Sequence, residues 1–254
     1  MRNRKTYERA DVVGRYAVAS DLFGAERVLL DRWTPTLAEW SMLDLGVGGG
    51  RTALHFAPRV RRYVGTDYAQ GMVDACRHRF ADHPDWRFEH CDARDMTRFE
   101  EASFDLVLFS FNGLDYISHD DRLKALAQIR RLLKPNAIFA FSAHNLNAAH
   151  HALRWRRTGA ISRLPADLAR WLLLRLYNAG TLTTAASAPY TRLNDGTYRF
   201  GLRTYYIRPA AQIAQLKAAG FTAIELLAQG TGEDLTNNPD NQDAAPYYVC
   251  HRAE

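Results

Sequence analysis

Met42-Leu43-Asp44-Leu45, followed by Gly46-Val47-Gly48-Gly49-Gly50 and then Arg51-Thr52-Ala53, is the stretch on which the reading of this chain turns. Four residues of buried-strand character run into a glycine-rich turn, and a helix is predicted from Arg51. Glycine in such a turn lets backbone approach a ligand without a Cβ in the way and sets a helix N-terminus beside it. Alone, the motif would serve any nucleotide. Its spacing narrows the choice: the dinucleotide pattern G-x-G-x-x-G/A needs Gly or Ala at position 51, which is Arg51, whereas Asp-x-Gly-x-Gly-x-Gly is met by Asp44, Gly46, Gly48 and Gly50. A carboxylate at the mouth repels a pyrophosphate and suits a ligand carrying an ammonium and a sulfonium.

Outward from this turn, short apolar runs alternate with amphipathic segments from about residue 40 to 143. Strands are predicted over 40–45, 62–66, 87–90, 104–110 and 137–142. The last follows a helix carrying Leu123, Leu126, Ile129, Leu132 and Leu133 at helical spacing. That helix is expected to stop at Lys134-Pro135-Asn136, since proline disfavours helix in the residue before it and Asn tolerates a left-handed turn. Strands joined by helical crossovers define an α/β fold, a mainly parallel sheet with helices on both faces. After His144 the rhythm changes. Residues 147–179 read as helical, split near Thr158-Gly159 and Pro165, and 181–201 as polar and turn-rich. Residues 207–219 read as a helix opened by Pro209 and closed by Gly220. Residues 221–227 and 245–251 then read as an antiparallel pair of strands.

The 254 residues suit one α/β core with an embellishment better than two equal domains. With 47% hydrophobic and 24% charged residues, 12 Tyr, 12 Phe and 5 Trp, disordered, collagen-like and coiled-coil chains are excluded. Cys76, Cys91 and Cys250 have no paired or metal-like spacing, so no disulfide framework is expected and a reducing cytoplasm fits best. The first ten residues offer no secretory signal, interrupted as they are by Arg2, Arg4, Lys5, Glu8 and Arg9. The most apolar run, 168–177, contains Arg170 and Arg175 and falls short of the roughly 20 residues that span a bilayer. The net charge of +5 is concentrated: residues 145–208 hold ten arginines, no lysine and two aspartates, an excess of +8 that leaves −3 for the rest. Such a segment is either a solvated face or a surface for an anionic substrate, an acidic glycan, nucleic acid or membrane headgroups.

Further acids sit at predicted strand ends. Asp67 closes the second strand, where a carboxylate can accept bonds from both hydroxyls of a ribose; its structural alternative is a helix N-cap. Met72 can lay a flexible thioether against an adenine face or pack in the core. After the third strand, Asp92 offers a carboxylate to an exocyclic amine and Ala93 a backbone amide to a ring nitrogen, unless Asp92 is simply an exposed turn acid.

Five stretches together resemble the class I S-adenosylmethionine-dependent methyltransferases. They are Leu43-Asp-Leu-Gly-Val-Gly-Gly-Gly-Arg-Thr52, Gly65-Thr-Asp-Tyr-Ala-Gln-Gly-Met72, His90-Cys-Asp-Ala-Arg94, Phe104-Asp-Leu-Val-Leu108 and Leu132-Leu-Lys-Pro-Asn136, in the family's order. The resemblance implies a Rossmann-like, seven-stranded sheet with an antiparallel last strand and S-adenosylmethionine across the carboxyl ends of its first strands. It implies Asp44 and Gly46 near the methionine part, Gly48 and Gly50 shaping the floor, Asp67 on the ribose, and Asp92 with Ala93 on the adenine. Ser110 would present backbone near the amino group and the reacting methyl. Asn136 stands where the family often has glycine, and Asn can occupy the same backbone region. The implied organisation is an N-terminal helical segment over 1–39 and a methyltransferase domain over 40–254, with 145–204 an insertion over the acceptor pocket.

Methyl transfer from a sulfonium is an in-line displacement with an activated leaving group, so the protein mainly aligns the acceptor, excludes water and manages one proton, and no metal is expected. The Asn/Asp-Pro-Pro-Tyr/Phe motif that grips a planar amine is replaced here by Ser110-Phe111-Asn112-Gly113, which demotes N-methylation of bases or glutamine. A histidine can take a proton from a hydroxyl near neutral pH, and His144 is placed by its strand at the cleft opening, with Asp115 the weaker rival. Asn112, Tyr116, His150, Tyr205 and Tyr206 are expected around the acceptor. The arginines of the insertion suit phosphate or carboxylate. The acceptor read from these features is a hydroxyl of a small or glycan-like molecule, with an anionic acceptor carrying phosphate or carboxylate as one option. Alternatives are an RNA methyltransferase using the arginine-rich insertion and a non-catalytic donor-binding protein, one version of which rests on membranes through 164–177. The helical spacing of Trp155, Trp171 and Tyr177 favours core packing over base stacking, against nucleic acid.

Overall fold

The computed structural model describes residues 6–155, 157, 159 and 163–254. Seven strands form one sheet: β1 (Ser41–Leu45), β2 (Arg62–Asp67), β3 (Arg87–His90), β4 (Phe104–Phe109), β5 (Leu133–Ser142), β8 (Phe221–Leu227) and β9 (Tyr247–Arg252). Their order is β3-β2-β1-β4-β5-β9-β8; β1 to β5 run parallel, and β9 lies antiparallel between β5 and β8. This is the Rossmann-like sheet expected above. Two strands outside it, β6 (Tyr190–Leu193) and β7 (Thr204–Ile207), form an antiparallel ribbon.

The two-residue period of the strands sorts apolar side chains into two layers. Leu43, Val107, Phe139, Phe141 and Tyr248 face Ala125, Leu126 and Ile129 of one helix, His119–Leu132, and Leu216 of another, Pro209–Ala218. Met42, Tyr63, Leu106, Ala140 and Val249 face Leu29, Trp33 and Leu37 of the helix Gly24–Leu37 and Val73 and Cys76 of the helix Gln70–Arg79. With both faces covered, the middle strands read as near-continuous apolar runs, which is why the sequence displays them so clearly.

Several boundaries differ from expectation. The helix His119–Leu132 begins at Ser118, whose hydroxyl accepts from the Asp121 N–H, but Leu123 on it is 43% exposed and Leu133 already belongs to β5. Pro135 and Asn136 are absorbed as a bulge within β5, between Leu133 opposite Phe104 and Ile138 opposite Leu106, with Asn136 at φ 62°. Pro165 opens the helix Leu164–Ala185 instead of splitting one, because the first turn has no use for its missing N–H. The expected break at Thr158 lies outside the described residues. The stretch 181–201, expected to be turn-rich, continues that helix to Ala185 and then forms β6. Trp155 and Tyr177 are exposed, not packed in the core. The helices Ala10–Ala17 and Gly24–Leu37 occupy the N-terminal segment.

Candidate functional site

Because β1 to β4 are parallel, the turn after β1, Asp67 at the end of β2, the turn after β3 and Ser110 after β4 meet at one edge of the sheet, where the strand order reverses between β1 and β4. Gly46 at φ 62° and Gly48 at φ 55° take left-handed backbone that residues with a Cβ rarely adopt. The Val47 N–H donates to the Thr66 carbonyl at 2.9 Å, and the Gly48 N–H to Oδ2 of Asp67 at 3.0 Å. Oδ1 of Asp67 accepts from the Ala69 N–H at 2.8 Å. The glycine turn is thereby fastened to the acid of the next strand. Burial pushes the Asp67 carboxyl up to about 6, against the opposing pull of these N–H bonds. Each of its oxygens has taken one bond, and a carboxylate can accept about four in all.

A cavity of about 810 Å³ opens at this edge, and Gly46, Gly48, Asp67, Met72, Asp92, Ala93 and Ser110 all line it. Two residues expected with them do not. Asp44 is turned away from the cavity: its Oδ2 accepts from the Thr52 hydroxyl at 2.5 Å and the Tyr63 hydroxyl at 2.7 Å, while Oδ1 is buried without a partner among the described residues. Burial pushes the Asp44 carboxyl up to about 6, with the Thr52 and Tyr63 bonds pulling the other way. Gly50, at φ 85°, is pressed against the Phe80 ring and Cys76, so it serves the packing of the helix Gln70–Arg79. Asp92 reaches the cavity but is gripped by Arg94, which donates from Nε at 2.9 Å, Nη2 at 2.6 Å and its backbone N–H at 3.0 Å. Burial pulls that carboxyl up, and the Arg94 bonds outweigh it and hold it below its usual value. The Ser110 hydroxyl is taken up by Glu26, Tyr247 and Arg51.

Glu26 is one of the residues that sequence reasoning missed. It is fully buried, accepts from the Tyr247 hydroxyl at 2.6 Å and forms a two-pronged ion pair with Arg51 at 2.5 and 2.7 Å. Burial raises its carboxyl, but the pairing with Arg51 prevails and leaves it below the usual carboxylate value. The N-terminal segment also supplies Tyr7, Arg15 and Tyr16 to the cavity wall, and β6 supplies Arg192. The Tyr7 ring packs edge-on to Tyr16, Tyr68, Tyr116 and Tyr198, with centroids 5.5 to 6.2 Å apart. No local pattern in the sequence could announce this cluster, because its members come from four separate regions.

The residues expected around the acceptor are separated by the structure. Of Asn112, Asp115, Tyr116, His144, His150, Tyr205 and Tyr206, Tyr116 alone lines the cavity. Directly behind it, its ring 6.3 Å from Tyr116 and 5.0 Å from Tyr206, stands His144. Nδ1 of His144 lies 2.8 Å from Oδ2 of Asp115, which also accepts the His144 backbone N–H at 2.6 Å. Nε2 lies 3.5 Å from Nδ2 of Asn112, a residue at φ 61° between Phe111 and Gly113, which line the cavity. Tyr205 and Tyr206 part company because neighbouring residues of a strand face opposite ways. Tyr205 is buried in the main core and bonds His119 Nδ1 at 2.8 Å, whereas Tyr206 sits beside His144 and donates to Asp195 at 3.2 Å. His150 is exposed, its ring 3.9 Å from His151, and takes no part in the site.

Residues 42–136 match a family described as "Methyltransferase domain". A demethylmenaquinone methyltransferase of Clavibacter sepedonicus is 32% identical over 109 residues, 43% of this chain and 43% of that protein, so the match spans less than half the length of that relative. Among solved structures, the CcbJ methyltransferase from Streptomyces caelestis shares the fold at a TM-score of 0.65 with 18% identity, covering 98% of each chain. An S-adenosylmethionine-dependent methyltransferase from Mesorhizobium loti does so at 0.59 with 18% identity, covering 90% of this chain and 98% of the other.

Proposed function

We propose that this chain, which carries a class I S-adenosylmethionine-dependent methyltransferase domain, transfers a methyl group by in-line displacement to a hydroxyl of a small-molecule or saccharide acceptor. The observation that carries the reading is the Asp67 carboxylate at the cavity wall, oriented by the Gly48 and Ala69 N–H groups with acceptor capacity left for two hydroxyls. The cavity is large enough for a nucleoside-sized ligand, and the buried Tyr68 hydroxyl on its wall has no partner among the described residues. These features fit S-adenosylmethionine, which when bound supplies a methyl group on an already activated sulfur.

In this reading Asp67 holds the ribose, Met72 lies against the adenine, and Asp92 and Ala93 meet the adenine edge. Backbone at Gly46 and Ser110 receives the methionine part. The Glu26–Arg51–Ser110–Tyr247 cluster keeps the end of β4 rigid beside the reacting centre. The tyrosines around Tyr7 exclude water from the mouth. With Nδ1 committed to Asp115, His144 keeps Nε2, which lies beside Asn112 behind the Tyr116 ring, and it is assigned to take the acceptor proton from a hydroxyl that reaches past that ring. Arg192 supports an acceptor with a phosphate or carboxylate: it lines the cavity, and among the described residues no carboxylate pairs with it. Burial and the neighbouring Arg203 hold its guanidinium below the usual value, a state that an anionic ligand would relieve.

Calorimetric titration with S-adenosylmethionine, followed by incubation with methyl-labelled donor and fractionated metabolites, tests the proposal. Binding of the donor and label entering a hydroxyl-bearing, anionic fraction are expected. A protein that ignores the donor, or prefers a nicotinamide dinucleotide, would overturn it.

A further inference from the structure

The helix Leu164–Ala185 is inside out. Its buried residues are Asp167, Leu174 and Asn178, and Asn178 bonds the Leu174 carbonyl at 2.7 Å, the Asn194 carbonyl at 2.8 Å and the Asn194 N–H at 2.8 Å. Leu168, Leu172 and Leu176, spaced four apart, are 50%, 52% and 72% exposed. Leu173 and Tyr177 widen the same face. A surface helix of a globular protein ordinarily turns such a stripe toward the core. Single exposed leucines are unremarkable, but a contiguous face of this kind marks an interaction surface.

Charge says what covers it. Arg175 on the helix and Arg163 at its N-cap are exposed, as are Arg154, Trp155 and Arg157 in the stretch that precedes it. The segment holds only two acids against its ten arginines: Asp167 is buried, and Asp195 accepts from Thr204 at 3.1 Å and Tyr206 at 3.2 Å. Pairing the face with a second copy of the chain would bring two segments of +8 together, which opposes association. Nucleic acid would meet the arginines and leave the leucines in water. An anionic bilayer satisfies both, with leucines below the headgroups and arginines at the lipid phosphates. Among the described residues no helix is long and apolar enough to cross a membrane, so the helix would lie in the interface plane.

The geometry points to this helix as a docking surface for an anionic lipid bilayer, a role separate from the donor site. The test is co-sedimentation of the full chain with phosphatidylcholine vesicles, with and without phosphatidylglycerol. The chain is expected to pellet with the anionic vesicles, to stay in solution with the neutral ones and to be released progressively by salt. Leu172→Glu with Leu176→Glu should lower vesicle affinity about tenfold or more, as should Arg154→Gln with Arg163→Gln. A wild-type circular dichroism spectrum and unfolding midpoint in these variants would show them folded, and the vesicle result stands whether or not the methyltransferase reading does. A chain that ignores anionic vesicles at low salt overturns the inference. So does pelleting indifferent to the glutamates, or self-association without lipid that the glutamates abolish, which would make the face an interface between copies.

Discussion

The imidazole Nδ1 of His144 lies 2.8 Å from Oδ2 of Asp115, whose Oδ1 accepts from Arg122 Nη1 at 2.7 Å, and neither Asp115 nor Arg122 has any side-chain exposure. One buried carboxylate thus neutralises a buried guanidinium and fixes the histidine ring. The two duties have separable consequences.

Asp115→Ala leaves Arg122 charged and unpaired in the core, still bonded to Gln212 and Gln215, and should cost about 3–5 kcal/mol in a urea unfolding curve. His144→Gln leaves that pair intact. It should lower turnover about a hundredfold or more while donor affinity and unfolding midpoint stay near wild type. Unaltered turnover in His144→Gln would remove the proton-transfer assignment.

Loss of a charge-assisted bond to a buried carboxylate costs roughly 1.5–3 kcal/mol, so Asp67→Ala should weaken S-adenosylmethionine binding about tenfold or more. Calorimetry giving the wild-type affinity would dismiss Asp67 as the ribose acceptor.

Burial pushes both Asp44 and Asp67 up to about 6, above their values in an unfolded chain. Between about pH 4 and pH 6 the folded protein holds protons that the unfolded chain has released, so their contribution to stability declines as pH rises through that window. Asp44→Asn keeps an oxygen for Thr52 and Tyr63 and should flatten this decline in thermal unfolding across the window. Donor affinity should move the opposite way, rising as Asp67 ionises, and Asp67→Asn should flatten its profile. A donor affinity independent of pH in the wild type would contradict this.

Gly49 lies against the backbone of Tyr16 and Ala17, so closely that a Cβ there would collide with main-chain atoms of both. Gly49→Ala should therefore push the helix Ala10–Ala17 off the cavity. Faster donor dissociation in stopped flow and earlier tryptic cleavage at Arg15 are expected, and wild-type values in both would show that the helix is not the cavity's cover.

Residues whose role depends on a strand end were legible in the chain itself. Asp67, Asp92 and Ser110 close or follow strands whose apolar runs are set by burial on both sheet faces, and parallel pairing carries all such ends to one edge. Motif spacing could locate Asp44 but not its orientation, which depends on Thr52 and Tyr63 closing over it. Tyr205 and Tyr206 show the same boundary: their identities are equal in the sequence, and only the pairing of β6 with β7 determines which faces the core and which faces His144. Glu26, Tyr7 and Tyr16 had no local signal, since each acquires its role from partners far along the chain. Local order and periodicity therefore determined the sheet and the donor-side edge, whereas the cover, the buried ion pairs and the outward-facing leucines were decided by long-range packing, which no short stretch of sequence encodes.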